Sequence, residues 1–211
     1  MSIAMKYHMD QSYIDDTPKA FLYQRIMDRY PKSAIGCFII SEDWDEQALL
    51  ELKQKSEAWF LVGLQINDMD FDRLDIIEGI VRCQPEDVNQ VVKLLNISPR
   101  GLIGIDVNDI KNLFEREKSY KFIQTHITDG FDTDMAKKAA NELVGQFPKN
   151  LNIKGLLLGM ESSESPSLDT TSYIVAFIDK NVMADELYTY YCTSISDEPE
   201  SFRLRAIYAE A

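Results

Sequence analysis

A chain of 211 residues with 45% hydrophobic side chains has room for one large domain or two small ones, with enough apolar material for a packed core. A formal net charge of -13 opposes binding to nucleic-acid phosphates or to an anionic membrane surface, both of which need a basic face, and favours solubility or a partner with a basic patch. Cys37, Cys83 and Cys192 are odd in number and far apart, the pattern of a reducing compartment rather than a disulfide framework. "MSIAMKYHMD" lacks the apolar centre of a signal peptide, and no apolar run approaches the roughly 20 residues of a membrane span, so a cytoplasmic location is expected.

Residues 1–16 are polar and aperiodic and read as a loose arm. "TPKAFLYQRIMDRYP" reads as a short helix over 17–30, with Thr17 as its N-cap, Pro18 in its first turn and Pro31 as its stop. "SAIGCFII" (33–40) and "AWFLVGLQI" (58–66) have the length and branching of buried strands. Between them lies "DWDEQALLELKQKSE", an amphipathic helix that Asp43 can cap with Glu46 three residues on. Strand, helix and strand in this order predict a parallel βαβ unit. "RLDIIEGIVRC" and "PEDVNQVVKLL" follow as two helices parted at Pro85, the second with Val88, Val91, Val92 and Leu95 on one face. "NISPRG" reads as a linker.

After it, "GLIGIDVNDIKNLF" (101–114) is an apolar run that turns into a helix. "YKFIQTHIT" is a strand, "DTDMAKKAANELVGQF" a helix, "IKGLLLGM" a strand, "ESSESPS" a polar loop and "LDTTSYIVAFIDKN" a helix. "ELYTYYCTSI" and "FRLRAIYA" are strands joined by the acidic turn "SDEPE". In the last strand Phe202, Leu204, Ala206 and Tyr208 face one way and Arg203 and Arg205 the other.

The order of elements from residue 33 onward, and several joints between them, resemble the second half of the FtsZ/tubulin family. "SEAWFLVGLQIND" resembles the last parallel strand of the family's nucleotide-binding domain, and "PEDVNQVVKLLNISPRGLI" the end of its long central helix. "GLIGIDVNDIK" is similar to its synergy loop: Gly101, Leu102, Ile103, Asp106, Asp109 and Lys111 fit in register, while Gly104 stands where the family has asparagine. "NVMADELYTYYCTSISDEPESFRLRAIYAEA" resembles its closing hairpin. The resemblance implies an α/β fold in two units: a small parallel βαβ unit, then a four-stranded sheet with two helices on one face. The division expected is an arm and helix over 1–32, a truncated βαβ unit with linking helices over 33–99, and an FtsZ-like carboxy-terminal domain over 100–211.

The family's Gly-rich phosphate loop has no counterpart. The chain has nine glycines, no two adjacent, whereas a phosphate cradle needs several backbone N–H groups converging in glycine conformations. No nucleotide or other cofactor is therefore expected. His8 and His126 are the only histidines, and with three scattered cysteines they give no zinc spacing. "NDMDFDRLD" lacks the glycine and terminal glutamate of a calcium loop, and no metal is expected.

Asp106 and Asp109 admit three readings. They cap a helix and complement its dipole; they contact a partner; or, as the resemblance implies, they reach a neighbouring subunit's GTP, where a carboxylate can orient the attacking water. The functional expectation is a non-catalytic FtsZ-like assembly or regulatory protein, linked to cell division, that binds an FtsZ-type filament or itself as a homo-oligomer. Gly101, Gly104, Asp106 and Asp109 would form its partner contact. The alternative is a small-molecule enzyme built on the carboxy-terminal α/β layer, since a fold does not fix function.

Overall fold

The computed structural model describes residues 19–68, 74–96, 103–117, 119–128, 132–148, 153–182 and 188–209. Ala20–Tyr23 forms a strand, β1, where the sequence reading places a helix; Thr17 and Pro18 lie outside the described residues. The aromatic pair Phe21 and Tyr23 suits a pleated surface, and the open edge of the next strand supplies what an isolated helix lacks, a row of backbone partners. Ala20 to Tyr23 pair in parallel with Ile35 to Phe38. β1 is thereby the first strand of the sheet, beside the strand that begins at Ile35.

β2 (Ile35–Ile39), α1 (Glu46–Ser56) and β3 (Phe60–Gln65) form the expected parallel βαβ unit. The cap of α1 is Asp45, not Asp43: its side chain accepts the Ala48 N–H at 2.8 Å. Ile77–Arg82 is a further strand, β4, rather than the first of two helices. Its six residues are five-sixths buried or half-buried, an apolar run too short to tell from helix by period alone, and pairing with β3 decides it. A 3₁₀ turn, Pro85–Asp87, leads into α2 (Val88–Leu95), whose Val88, Val91 and Leu95 are buried as the periodicity predicts.

α3 (Val107–Arg116), β5 (Ser119–Ile127), α4 (Asp132–Gln146), β6 (Gly155–Ser162), α5 (Leu168–Asn181), β7 (Tyr188–Ile195) and β8 (Phe202–Ala209) complete the chain. The eight strands among the described residues lie in one sheet of order β1-β2-β3-β4-β5-β8-β6-β7. β7 and β8 are not a hairpin. β6 lies between them, parallel to β7 and antiparallel to β8, and β8 is also antiparallel to β5. Burial explains the insertion: every residue of β6 is buried, which needs a strand on each side, whereas β7 is largely half-exposed and takes the edge.

On one face α4 and α5 cover Ile123, Leu156, Leu158, Phe202, Leu204, Ala206 and Tyr208. On the other face, α2 and α3 share a single core with residues of both halves, from Ile35 and Val62 to Leu157 and Ile207. The helices lie close. A Cβ on Gly79 of β4 would meet Phe114 Cδ1 at 2.2 Å, and one on Gly159 of β6 would meet Leu94 Cδ1 at 2.5 Å, so both positions exclude a side chain. No helix among the described residues is long and apolar enough to cross a membrane.

Candidate functional site

The loop Ile103–Asp106 delivers α3. Asp106 is extended and sits at the N-cap; its Oδ1 accepts the Asp109 N–H at 3.0 Å, while its own N–H donates to Asp109 Oδ2 at 2.9 Å. The two carboxylates thus bind each other's backbone, a reciprocal cap that satisfies two donors and places negative charge on the positive end of α3. The helix-cap reading holds in full geometry. It does not consume the carboxylates: each uses one oxygen, and no cation pairs with either among the described residues. Gly101 lies outside the described residues. Gly104 is exposed, with nothing within 4 Å of an added Cβ, so packing does not demand glycine there. The loop is fixed by its neighbour on the chain: Thr193 N–H of β7 donates to the Ile103 carbonyl at 2.9 Å, and Ile103 N–H donates to Thr193 Oγ1 at 2.9 Å.

A second polar cluster lies under α2, and the sequence reading missed it. Glu161, taken there for loop, ends β6 with its side chain 3% exposed. Arg205 of β8, equally buried, donates to both of its oxygens, Nη1 at 3.2 Å and Nη2 at 3.1 Å. Lys93 Nζ of α2 stands 2.8 Å from Oε2, and Gln90 Oε1 accepts from Arg205 Nε at 2.9 Å. Burial pushes the Glu161 carboxyl up, but the hydrogen bonds and charges of Arg205 and Lys93 outweigh it and hold it down at about 2. This network ties α2 to β6 and β8. The only sequence signal was Arg205 alternating with core residues, which demanded a carboxylate without naming it.

His126 is exposed on β5, opposite Arg203 of β8. Arg203 Nη2 lies 3.2 Å from Nδ1, and since guanidinium only donates, Nδ1 accepts and Nε2 carries the hydrogen, facing Glu198 Oε2 at 3.1 Å. Cys37, Cys83 and Cys192 are unpaired thiols; burial pushes them up to about 12, 11 and 11, away from nucleophilic use. No group of metal-ligating side chains occurs among the described residues.

The carboxyl ends of the parallel strands are where α/β sheets place phosphates, on helix N-termini. Here the chain's own acids stand at those ends. Asp45 caps α1 with Glu46 in the first turn, and Glu86 and Asp87 precede α2. Burial, tempered by a hydrogen bond from Gln124, raises the Asp87 carboxyl above its ordinary range. An incoming phosphate would meet carboxylates at both helix starts.

No family model matches the chain, and no curated protein does. Solved structures do. A GDP-form protofilament of TubZ from Bacillus thuringiensis serovar israelensis superposes with a TM-score of 0.56 at 11% identity, over 85% of this chain and 62% of that one. CetZ from Methanosaeta thermophila gives 0.55 at 10%, over 85% and 61%. FtsZ from M. jannaschii gives 0.50 at 14%, over 84% and 56%. The fold is FtsZ/tubulin-like, and the chain spans about three-fifths of the length of these proteins.

Proposed function

We propose that this chain is a non-catalytic, protein-binding member of the FtsZ/tubulin-like folds, which joins an FtsZ-type filament or a second copy of itself through the loop that carries Asp106 and Asp109. The observation that supports it most is the pairing of an FtsZ-like sheet with helix starts guarded by Asp45, Glu46, Glu86 and Asp87. The architecture of an assembling protein is kept, and the phosphate positions are filled with like charge. The TubZ neighbour is a protofilament, which favours assembly as the use of this fold. Absence of adjacent glycines points the same way.

Titration calorimetry with GTP and GDP tests the nucleotide half of the proposal: no binding is expected, and a micromolar dissociation constant overturns it. Sedimentation of FtsZ filaments with and without the chain, together with light scattering of the chain alone, tests the assembly half. Co-sedimentation or a concentration-dependent oligomer supports it; a monomer that leaves filaments unchanged refutes it. Added chain is expected to leave the FtsZ GTPase rate independent of Asp106 and Asp109, because Gly104 gives the loop no side chain to hold a water. A rate that rises with the natural chain but not with the double asparagine variant would restore the catalytic reading.

A further inference from the structure

We propose that the carboxyl end of β7, between the Ile103–Asp106 loop and the start of α5, docks a partner protein through an apolar side chain flanked by arginine or lysine. The proposal rests on the protein-binding reading above and names the partner's chemistry.

Two exposed apolar side chains stand at this end. Ile195 closes β7 opposite Ser162 and is 46% exposed, and Leu168 opens α5 and is 63% exposed. Parallel partners share a face of the sheet, and Ser162 alternates with Leu158 and Met160, so Ile195 lies on the face that α5 covers. The Tyr191 hydroxyl donates to Asp179, near the end of α5, at 2.9 Å. From Asp179 back to Leu168 the helix rises about 16 Å, and from Tyr191 on to Ile195 the strand advances about 13 Å, which brings Leu168 level with Ile195. Both are held in place. Ser167 caps α5 by accepting the Thr170 N–H at 3.1 Å, and Ser196 N–H, next to Ile195, donates to the Ser162 carbonyl at 2.8 Å. A partner therefore loses little in ordering them. The Ile103 loop bounds the surface, fixed by its two bonds with Thr193, two residues from Ile195. Arg116, at the far end of α3, stacks 3.2 Å over the Tyr188 ring at the start of β7, so α3 runs back along β7 and its start, with Asp106 and Asp109, stands at the Ile195 end.

Charge selects the occupant. Asp169 follows Leu168 and Asp197 lies two residues beyond Ile195; with Asp106 and Asp109 they put four carboxylates around the two apolar side chains. None of the four pairs with a cation among the described residues. An apolar anchor flanked by cations gains burial against Leu168 and Ile195 and charge pairing at the rim. This chain's own exposed segment of that kind is Ile26, between Arg25 and Arg29, but Asp28 is exposed in the same loop and Asp43 stands beside it, its carbonyl accepting from Arg25 Nε at 3.2 Å. The arginine charge is offset in place, and a net charge of -13 on each chain opposes the pairing further, so a different, basic protein fits better than a second copy.

The probe is a twelve-residue peptide with leucine at its centre, two arginines on each side and serine elsewhere, titrated into the full, isotope-labelled chain and followed by nuclear magnetic resonance. The amide signals of Ile103, Leu168 and Ile195 are expected to shift together, with affinity falling as salt rises. Glycine for the peptide's leucine, Leu168→Ser with Ile195→Ser in the chain, and Asp106→Asn with Asp109→Asn are each expected to weaken binding about tenfold or more. Trp59→Ser, at an exposed apolar residue of the amino-terminal half, is expected to leave it unchanged. Should the double serine variant fail to fold, the glycine peptide on the natural chain decides alone. Unshifted signals at the three residues, equal binding of the glycine peptide, or an equal loss with Trp59→Ser overturns the proposal. So does a concentration-dependent oligomer that the double serine variant dissolves, which would make the occupant a second copy. Peptide binding at this surface without any effect on filaments would refute the filament reading and leave the surface; filaments bound equally by the natural chain and the double serine variant would refute the surface alone.

Discussion

Asp106 and Glu161 are both carboxylates at the end of an element, yet their substitutions are expected to differ severalfold in cost. Asparagine is as good an N-cap as aspartate, so Asp106→Asn should leave the urea midpoint nearly unmoved, while Asp106→Ala should cost about 1 kcal/mol. Asp109→Asn should lose only the dipole contribution, ~0.3–1 kcal/mol. Glu161→Ala should cost ~3–5 kcal/mol, because Arg205 is left charged and buried; adding Arg205→Met should recover much of that loss. The pH dependence has a definite sign. Glu161 is held at about 2, below its ordinary 4.5, so the unfolded chain takes the proton first as pH falls. Its contribution is complete above about pH 4.5 and is lost progressively down to about 2, and acid unfolding of Glu161→Gln, measured by circular dichroism, should lack that part of the slope. The aspartate pair was legible in the sequence because a cap is local, i to i+3. Glu161 and Arg205 lie 44 residues apart and meet only because β6 inserts next to β8.

At the level of elements, the joints between layers carry the tightest constraints. Gly79→Ala should destabilise by ~1–3 kcal/mol, read as a fall in melting temperature, because the new methyl group must displace Phe114 between β4 and α3. Asn96→Ala should cost about 1 kcal/mol and speed amide exchange at Lys19 and Ala20, since Asn96 Oδ1 accepts from both. The helices α1 to α5 were readable in the sequence, and so was the cap of α3 at Asp106, whereas the cap of α1 lies two residues beyond the expected Asp43, at Asp45. Two strands were not. β1 holds four residues and β4 six, too few to show a period, and each is a strand because a parallel neighbour offers a free row of donors and acceptors.

At the scale of the whole molecule, the eight strands among the described residues form one sheet shared by two expected units. β4 and β5 join through three residue pairs, Ile80–Ser119 to Arg82–Lys121, and one core cluster crosses the junction. The proposed division near residue 99 therefore has a direct test. Both tryptophans, Trp44 and Trp59, report on the amino-terminal half, whereas far-ultraviolet circular dichroism reports on all of it. Coincident urea curves from the two probes are the expected outcome, as for a single cooperative unit; a tryptophan transition that precedes loss of ellipticity would show two domains.

The helix faces and the cap of α3 were set by the sequence alone, because each depends on residues within a turn or two of one another. The alternation of Phe202, Leu204, Ala206 and Tyr208 against Arg203 and Arg205 likewise assigned each face of β8 before any neighbour was known. Tertiary structure decided which strands are neighbours. It put β6 between β7 and β8, brought Glu161 to Arg205, and placed β7 last in the sheet with the Ile103 loop bonded to Thr193. Strand pairing is a contest among distant segments for the same backbone groups, won by the arrangement that buries the most apolar strand on both sides, and no local pattern in the chain records the result.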